Sequence, residues 1–216
     1  MELLSILLVL MFSIVCHEVA HAWVALQEGD DTAYELGRIT LNPFAHLDLV
    51  GSFLVPVVLY NLTDGMIFGW AKPVPINPNK FRSYRSADIK VSLAGIAANL
   101  LLAVTFTVLI VALLNIQNVT AFESSVDLMV ELAWYGISIN LILAFFNLIP
   151  IPPLDGSHVM YHFIPAKWRA SYDHLGQYGM ILLMTCSILV PGLFAFILKP
   201  VQMLRGVAEL FIRSMS

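Results

Sequence analysis

The sequence predicts an all-α polytopic membrane protein, a bundle of about 5–6 transmembrane helices with short β-strand or re-entrant segments between the first two core helices. Three observations carry that expectation. First, 59% of the 216 residues are hydrophobic and only 12% are charged, with a mean hydropathy of +0.82, whereas soluble domains run at roughly 45–50% apolar and about 25% charged. Second, four long uncharged or nearly uncharged runs recur, at residues 3–26, 91–122, 132–154 and 175–198, each long enough to approach a bilayer's hydrocarbon thickness. Third, once the shorter apolar segment 49–63 is counted as a run as well, every polar stretch between apolar runs is shorter than about 30 residues, too short for a soluble core of its own. Residues 1–216 therefore read as a single membrane-embedded domain, with a core over 1–160 and C-terminal helices over 174–216. The net charge of −4 and eleven scattered Lys and Arg residues form no basic run interleaved with aromatics, so no nucleic acid is expected as a partner. Cys16 and Cys186 both lie inside apolar runs without a Cys-x-x-Cys spacing and read as reduced packing residues.

The first run has a small-x-small segment, Ala20-His21-Ala22, which resembles a signal-peptide cleavage site. Glu2 stands where a basic flank would be, so the run is read as a mature helix. Within it lies His17-Glu18-Val19-Ala20-His21. Helical residues four apart share a face, so His17 and His21 can hold one zinc ion while Glu18 addresses its water. The plainer reading is a pair of histidines that bond neighbouring helices. Three ionisable groups within five residues are costly in lipid, however, and mark a functional site there. At 1.5 Å per residue His17 lies roughly 24 Å along this helix, past the midplane of a roughly 30 Å core.

Residues 27–48 turn acidic, and Gly37-Arg38-Ile39-Thr40-Leu41-Asn42-Pro43 alternates in the manner of a short strand. Residues 49–63 are apolar but short and interrupted by Gly51 and Pro56, which suits a short span or a re-entrant segment. Over 68–78 three prolines exclude a helix and favour an extended edge strand that could receive a substrate segment, or an ordinary connecting loop. The run 91–122 opens with Ala94-Gly95-Ile96-Ala97-Ala98-Asn99, whose small residues allow close helix approach. Asn99 is then a buried amide that either orients substrate or ties helices together.

The run 132–154 ends in Asn147-Leu148-Ile149-Pro150-Ile151-Pro152-Pro153-Leu154-Asp155-Gly156. Its prolines unwind the helix at membrane depth, which is tolerable only where protein or a water-filled cavity lines the break. A hydrolytic zinc site needs a third protein ligand and an open position for water. Asp155 is the best-placed oxygen donor, although an Asp at a helix end commonly caps the next helix. His158 and His162 are also four apart but lack an intervening Glu, and they read, with His46 and His174, as structural. Beyond Pro200, Arg205, Glu209 and Arg213 share one stripe of an amphipathic helix expected at the membrane interface.

Together, His17-Glu18-Val19-Ala20-His21, Gly95 to Asn99, and Asn147 to Gly156 resemble the three motifs of the site-2 proteases, the intramembrane zinc metalloproteases. The stretch 68–78, with Leu41-Asn42-Pro43 and His46, is similar to the compact prokaryotic branch without PDZ or CBS domains. The resemblance implies zinc on His17, His21 and Asp155, Glu18 as catalytic base and Asn147 facing the site. It also implies a bilayer-embedded enzyme whose substrate is a transmembrane segment of another protein. Ile96 stands where a proline often follows the glycine, a departure that does not touch the metal set. Five of the eleven basic residues, Lys72, Lys80, Arg82, Arg85 and Lys90, cluster between the first two core helices. By the positive-inside rule this places that loop, and the active site, on the cytoplasmic side of the cell membrane. The competing class is a transporter or a non-catalytic adaptor with a structural metal site. Inverted repeats are not apparent, and no ligand or base is missing. His, His and carboxylate would also accept cobalt or iron.

Overall fold

The computed structural model describes residues 2–62, 72–117, 123–189, 192, 195, 196 and 198–215. Its helices are α1 (Glu2–Gln27), α2 (Thr32–Glu35), α3 (Val55–Leu62), α4 (Tyr84–Gln117), α5 (Glu123–Asn147), α6 (Asp155–Tyr161), α7 (Ala166–Leu189) and α8 (Lys199–Met215). Three described helices contain stretches long and apolar enough to cross a membrane: Leu3–Gln27, Tyr84–Asn115 and Ser125–Asn147. The expectation was 5–6. α7 is of similar length, but its first turns carry Lys167, Arg169, Asp173 and His174. The apolar stretch Leu49–Leu62 reaches only about 21 Å at 1.5 Å per residue, short of a roughly 30 Å core. The ends of the runs expected at 49–63 and 91–122, the start of 68–78, and Pro191 lie outside the described residues.

By contact the chain divides into two compact units, Leu10–Gly95, and Met1–Val9 with Ile96–Ser216. In the unit Leu10–Gly95, α1 ends in a turn at Gly29, whose φ of 110° belongs to glycine. A side chain there would also meet the Lys80 carbonyl at 2.9 Å. The next residue, Asp30, is buried yet satisfied, because its carboxylate accepts from the Thr32 amide at 3.0 Å and the Asn77 amide at 2.6 Å. A small apolar core of Ala22, Ala33 and Val74, with Ile39 and Ile76 against it, closes the unit.

No strand occurs among the described residues, so the strand expected at 37–43 is corrected, and of the two readings of 68–78 the described residues 72–77 follow the connecting loop. Instead, residues 72–77 run as a strap held mostly by side chains. The Arg38 guanidinium donates to the carbonyls of Lys72 and Pro73, at 3.1 and 3.3 Å. The Lys72 amide donates to the His46 carbonyl at 3.0 Å, and His46 Nε2 lies 2.9 Å from the Thr40 carbonyl. A ladder needs regularly spaced N–H donors, and Pro73 and Pro75 have none. The donors at Lys72, Val74 and Asn77 are engaged within the unit.

The core of the other unit is formed by Ala103 and Ile110 of α4, Ala133, Ile137 and Leu141 of α5, and Val201 and Ile212 of α8. Gly136 lets the Phe106 ring lie on α5, since a Cβ there would stand 2.5 Å from it. The amphipathic α8 thus packs its apolar face on α4 and α5, while Arg205 lies over the Trp134 ring and Arg213 pairs with Glu209 at 2.6 Å.

Candidate metal centre

Helical periodicity puts His17 and His21 one turn apart on α1, and both are buried, at 7% and 6% exposure. Their rings stand perpendicular with centroids 4.5 Å apart, and the two Nε2 atoms are 3.0 Å from each other. Two nitrogens bound tetrahedrally to one zinc at roughly 2.0–2.1 Å stand roughly 3.4 Å apart, so the pair needs little adjustment to share an ion. His21 Nδ1 lies 2.7 Å from the Val91 carbonyl of α4. A carbonyl can only accept, so Nδ1 carries the hydrogen, the tautomer that in a neutral ring leaves the Nε2 lone pair for a metal. The chemistry and spacing of these donors fit a zinc ion.

Gly95 explains how α4 comes so close. A Cβ there would stand 2.5 Å from both His17 Cε1 and His21 Nε2, so only glycine leaves room for the two rings. Glu18, a little farther round α1, is half-buried. Its Oε2 accepts the Val74 amide of the strap at 2.8 Å, which fixes the carboxylate to the strap.

The other sequence-predicted residues fall in the second unit. Asn99 donates through Nδ2 to Asn140 Oδ1 at 2.8 Å, and Asn140 donates to the Gly136 carbonyl at 2.8 Å. Both amides are fully buried, and their bond ties α4 to α5. Asn147, at the end of α5, donates to the Leu143 carbonyl of its own helix at 3.0 Å. Asp155 opens α6, and the capping position itself is held by Leu154. A carboxylate in a first helical turn is favoured by the helix dipole. Sequence reasoning missed Val91, Val74 and Asn140. Only Asn140 left a signal, a second amide inside an apolar run; the other two act through backbone atoms, which residue type does not reveal.

A family model described as Peptidase family M50 matches residues 114–190. Over 197 residues the chain is 37% identical to "Putative zinc metalloprotease YwhC" of Bacillus subtilis (strain 168), covering 90% of this chain and 84% of that one. The chain belongs to peptidase family M50. Two mycobacterial relatives with the same printed description are more distant. Rip2 of Mycolicibacterium smegmatis is 28% identical over 82% of this chain and 64% of its own length. Rip3 of Mycobacterium tuberculosis is 26% identical over 76% of this chain and 31% of its own. No solved structure matches the chain. M50 membership and the apolar helices make this a membrane protein, and its metalloprotease-named relatives support a peptidase of site-2-protease type.

Proposed function

We propose that this M50 protein is a multi-pass intramembrane zinc endopeptidase in which His17, His21 and Asp155 hold one zinc ion and Glu18 is the catalytic base. The observation that carries the reading is the buried His17–His21 pair, 3.0 Å between Nε2 atoms, with the Glu18 carboxylate fixed one residue away. Two imidazoles and a carboxylate are a common donor set for hydrolytic zinc and leave one position open. When bound, zinc lowers the pKa of its water and polarises the scissile carbonyl. Glu18 takes the proton of the attacking water and returns it to the leaving amine. The Val74 amide, by occupying Oε2, leaves Oε1 for that exchange. The Asn99–Asn140 bond favours Asn99 as a helix tie, and Asn147 remains the candidate for contact with substrate.

The substrate is a transmembrane segment of another membrane protein. Helical backbone groups are already paired, so its scissile stretch must unwind before a carbonyl is presented. The basic loop residues Lys72 to Lys90 support a site in the cytoplasmic half of the bilayer, with residues 1–216 acting as one catalytic domain.

The test is to purify wild type, Glu18→Gln and Asp155→Ala in detergent, measure bound metal and incubate each with a generic transmembrane substrate. Wild type binds about one zinc and cleaves. Glu18→Gln keeps the zinc and does not cleave, and Asp155→Ala binds zinc weakly. Zinc-free wild type, with Asp155→Ala indistinguishable from it, would overturn the assignment.

A further inference from the structure

The loop 148–154 that leads into Asp155 cannot hold itself. Three of its seven residues are proline and donate nothing, and its internal backbone bonds include only short-range ones such as Ile151 to Ile149 at 2.9 Å and Leu154 to Ile151 at 3.0 Å. What holds it is one face of α7. Tyr172, Gly176, Gly179 and Leu183 recur at i, i+4, i+7 and i+11, a single helical stripe, and each meets the loop or its flanks. The Tyr172 hydroxyl donates to the Pro150 carbonyl at 2.8 Å, with the Ser157 carbonyl a longer 3.4 Å away. At Gly176 a Cβ would stand 3.3 Å from Pro152 Cβ. A Cβ on Gly179 would overlap the Pro152 carbonyl oxygen at 1.7 Å. Leu183 is buried with Ile149 and Leu154, at the two ends of the loop. From the other side, Gly156 admits the Leu148 carbonyl where a Cβ would come within 2.3 Å of it.

We infer that α7 is the positioning element of the metal centre: Tyr172 and Gly179 seat the proline loop so that Asp155 is delivered at one fixed place, making both residues positioning residues for the third ligand. The inference rests on the assignment of Asp155 proposed above. It gives the C-terminal part of the chain a duty in metal binding that the motifs, which end at Gly156, do not suggest. Groups that orient a metal ligand typically change metal affinity 10- to 100-fold when removed.

The experiment measures zinc affinity of the full chain in detergent by competition with a chromophoric chelator, with the absorption spectrum of the cobalt-loaded protein as a second readout and thermal stability alongside. Tyr172→Phe, which keeps the ring and loses the hydroxyl, weakens zinc binding about tenfold and alters the cobalt spectrum; Gly179→Ala weakens it on the order of a hundredfold. Gly206→Ala, where an added Cβ meets nothing within 4 Å, binds as wild type. Ile137→Val, in the distant core of α4, α5 and α8, loses thermal stability at unchanged zinc affinity, the behaviour a merely structural Tyr172 would share. If Asp155→Ala weakens zinc binding while Tyr172→Phe and Gly179→Ala bind as wild type, the positioning role is overturned and the ligand assignment stands. If Asp155→Ala itself binds zinc normally, the ligand assignment falls and the positioning role with it. Should Gly179→Ala fail to fold, Tyr172→Phe decides.

Discussion

Two histidine pairs in this chain share the same spacing and differ in almost everything around them. His17 and His21 lie deep within the 26-residue α1, both buried, with one ring bonded to the Val91 carbonyl and both fitted against Gly95. His158 lies in the seven-residue α6 and His162 is its C-cap; His158 is exposed, and His162 stacks edge-on against Tyr161 with centroids 5.8 Å apart. A four-residue spacing is therefore only an opportunity. What sets the first pair apart is a second helix close enough to fix the His21 tautomer and seat both rings against Gly95, which is why it, and not the second pair, is proposed as the ligand pair.

The sharpest way to break the comparison is to remove a ring from each pair. His17→Ala or His21→Ala should lose bound zinc and reduce cleavage to background, whereas His158→Ala should keep both; metal analysis of the purified variants decides. Next in size is Glu18→Gln, for which cleavage should fall about 10²- to 10⁴-fold, the range of general acid–base catalysis, with zinc retained. Gly95→Ala tests the seat itself. Its Cβ would stand 2.5 Å from both rings, so zinc affinity should drop roughly 10- to 100-fold, as when ligand-orienting groups are lost.

Val74→Pro deletes the N–H that holds Glu18 in a stretch already flanked by Pro73 and Pro75. A hydrogen bond to a charged group contributes about 1.5–3 kcal/mol. If that bond is lost in full the rate of cleavage should fall roughly 10- to 150-fold, with zinc content unchanged.

The smallest effect belongs to the surface pair Lys80–Asp31, beside the strap. The hydrogen bond from Lys80 holds the Asp31 carboxyl below its ordinary value of 3.8. The pair's contribution is therefore present above that value and lost as the pH falls through the lowered one. Because both groups are exposed, Lys80→Ala should barely change the melting temperature at neutral pH.

The contrast also shows what a reader of the sequence can see. The long apolar helices and the placing of His17, Glu18 and His21 on one of them were legible, because hydrophobic runs and 3.6-residue periodicity are local properties of the chain. The proline break before Asp155 was legible for the same reason. The strand expected at 37–43 was not there. Alternation records a preference for extended backbone, but a strand exists only with a partner, and the prolines of 72–77 cannot provide one. Asp30, read as one of several acidic loop residues, proved to be a buried anchor for that strap.

By itself, then, the sequence determined the apolar helices, the donors and their spacing on α1, and the place where a helix must stop. Only the tertiary structure decided which backbone carbonyl orients His21, which amide holds Glu18, why residue 95 has no side chain, and how α7 supports a loop that cannot support itself. The physical reason is that these decisions are made by backbone atoms and by vacated volume. Every residue has the same backbone atoms, so nothing in the order of side chains says which of them will be used.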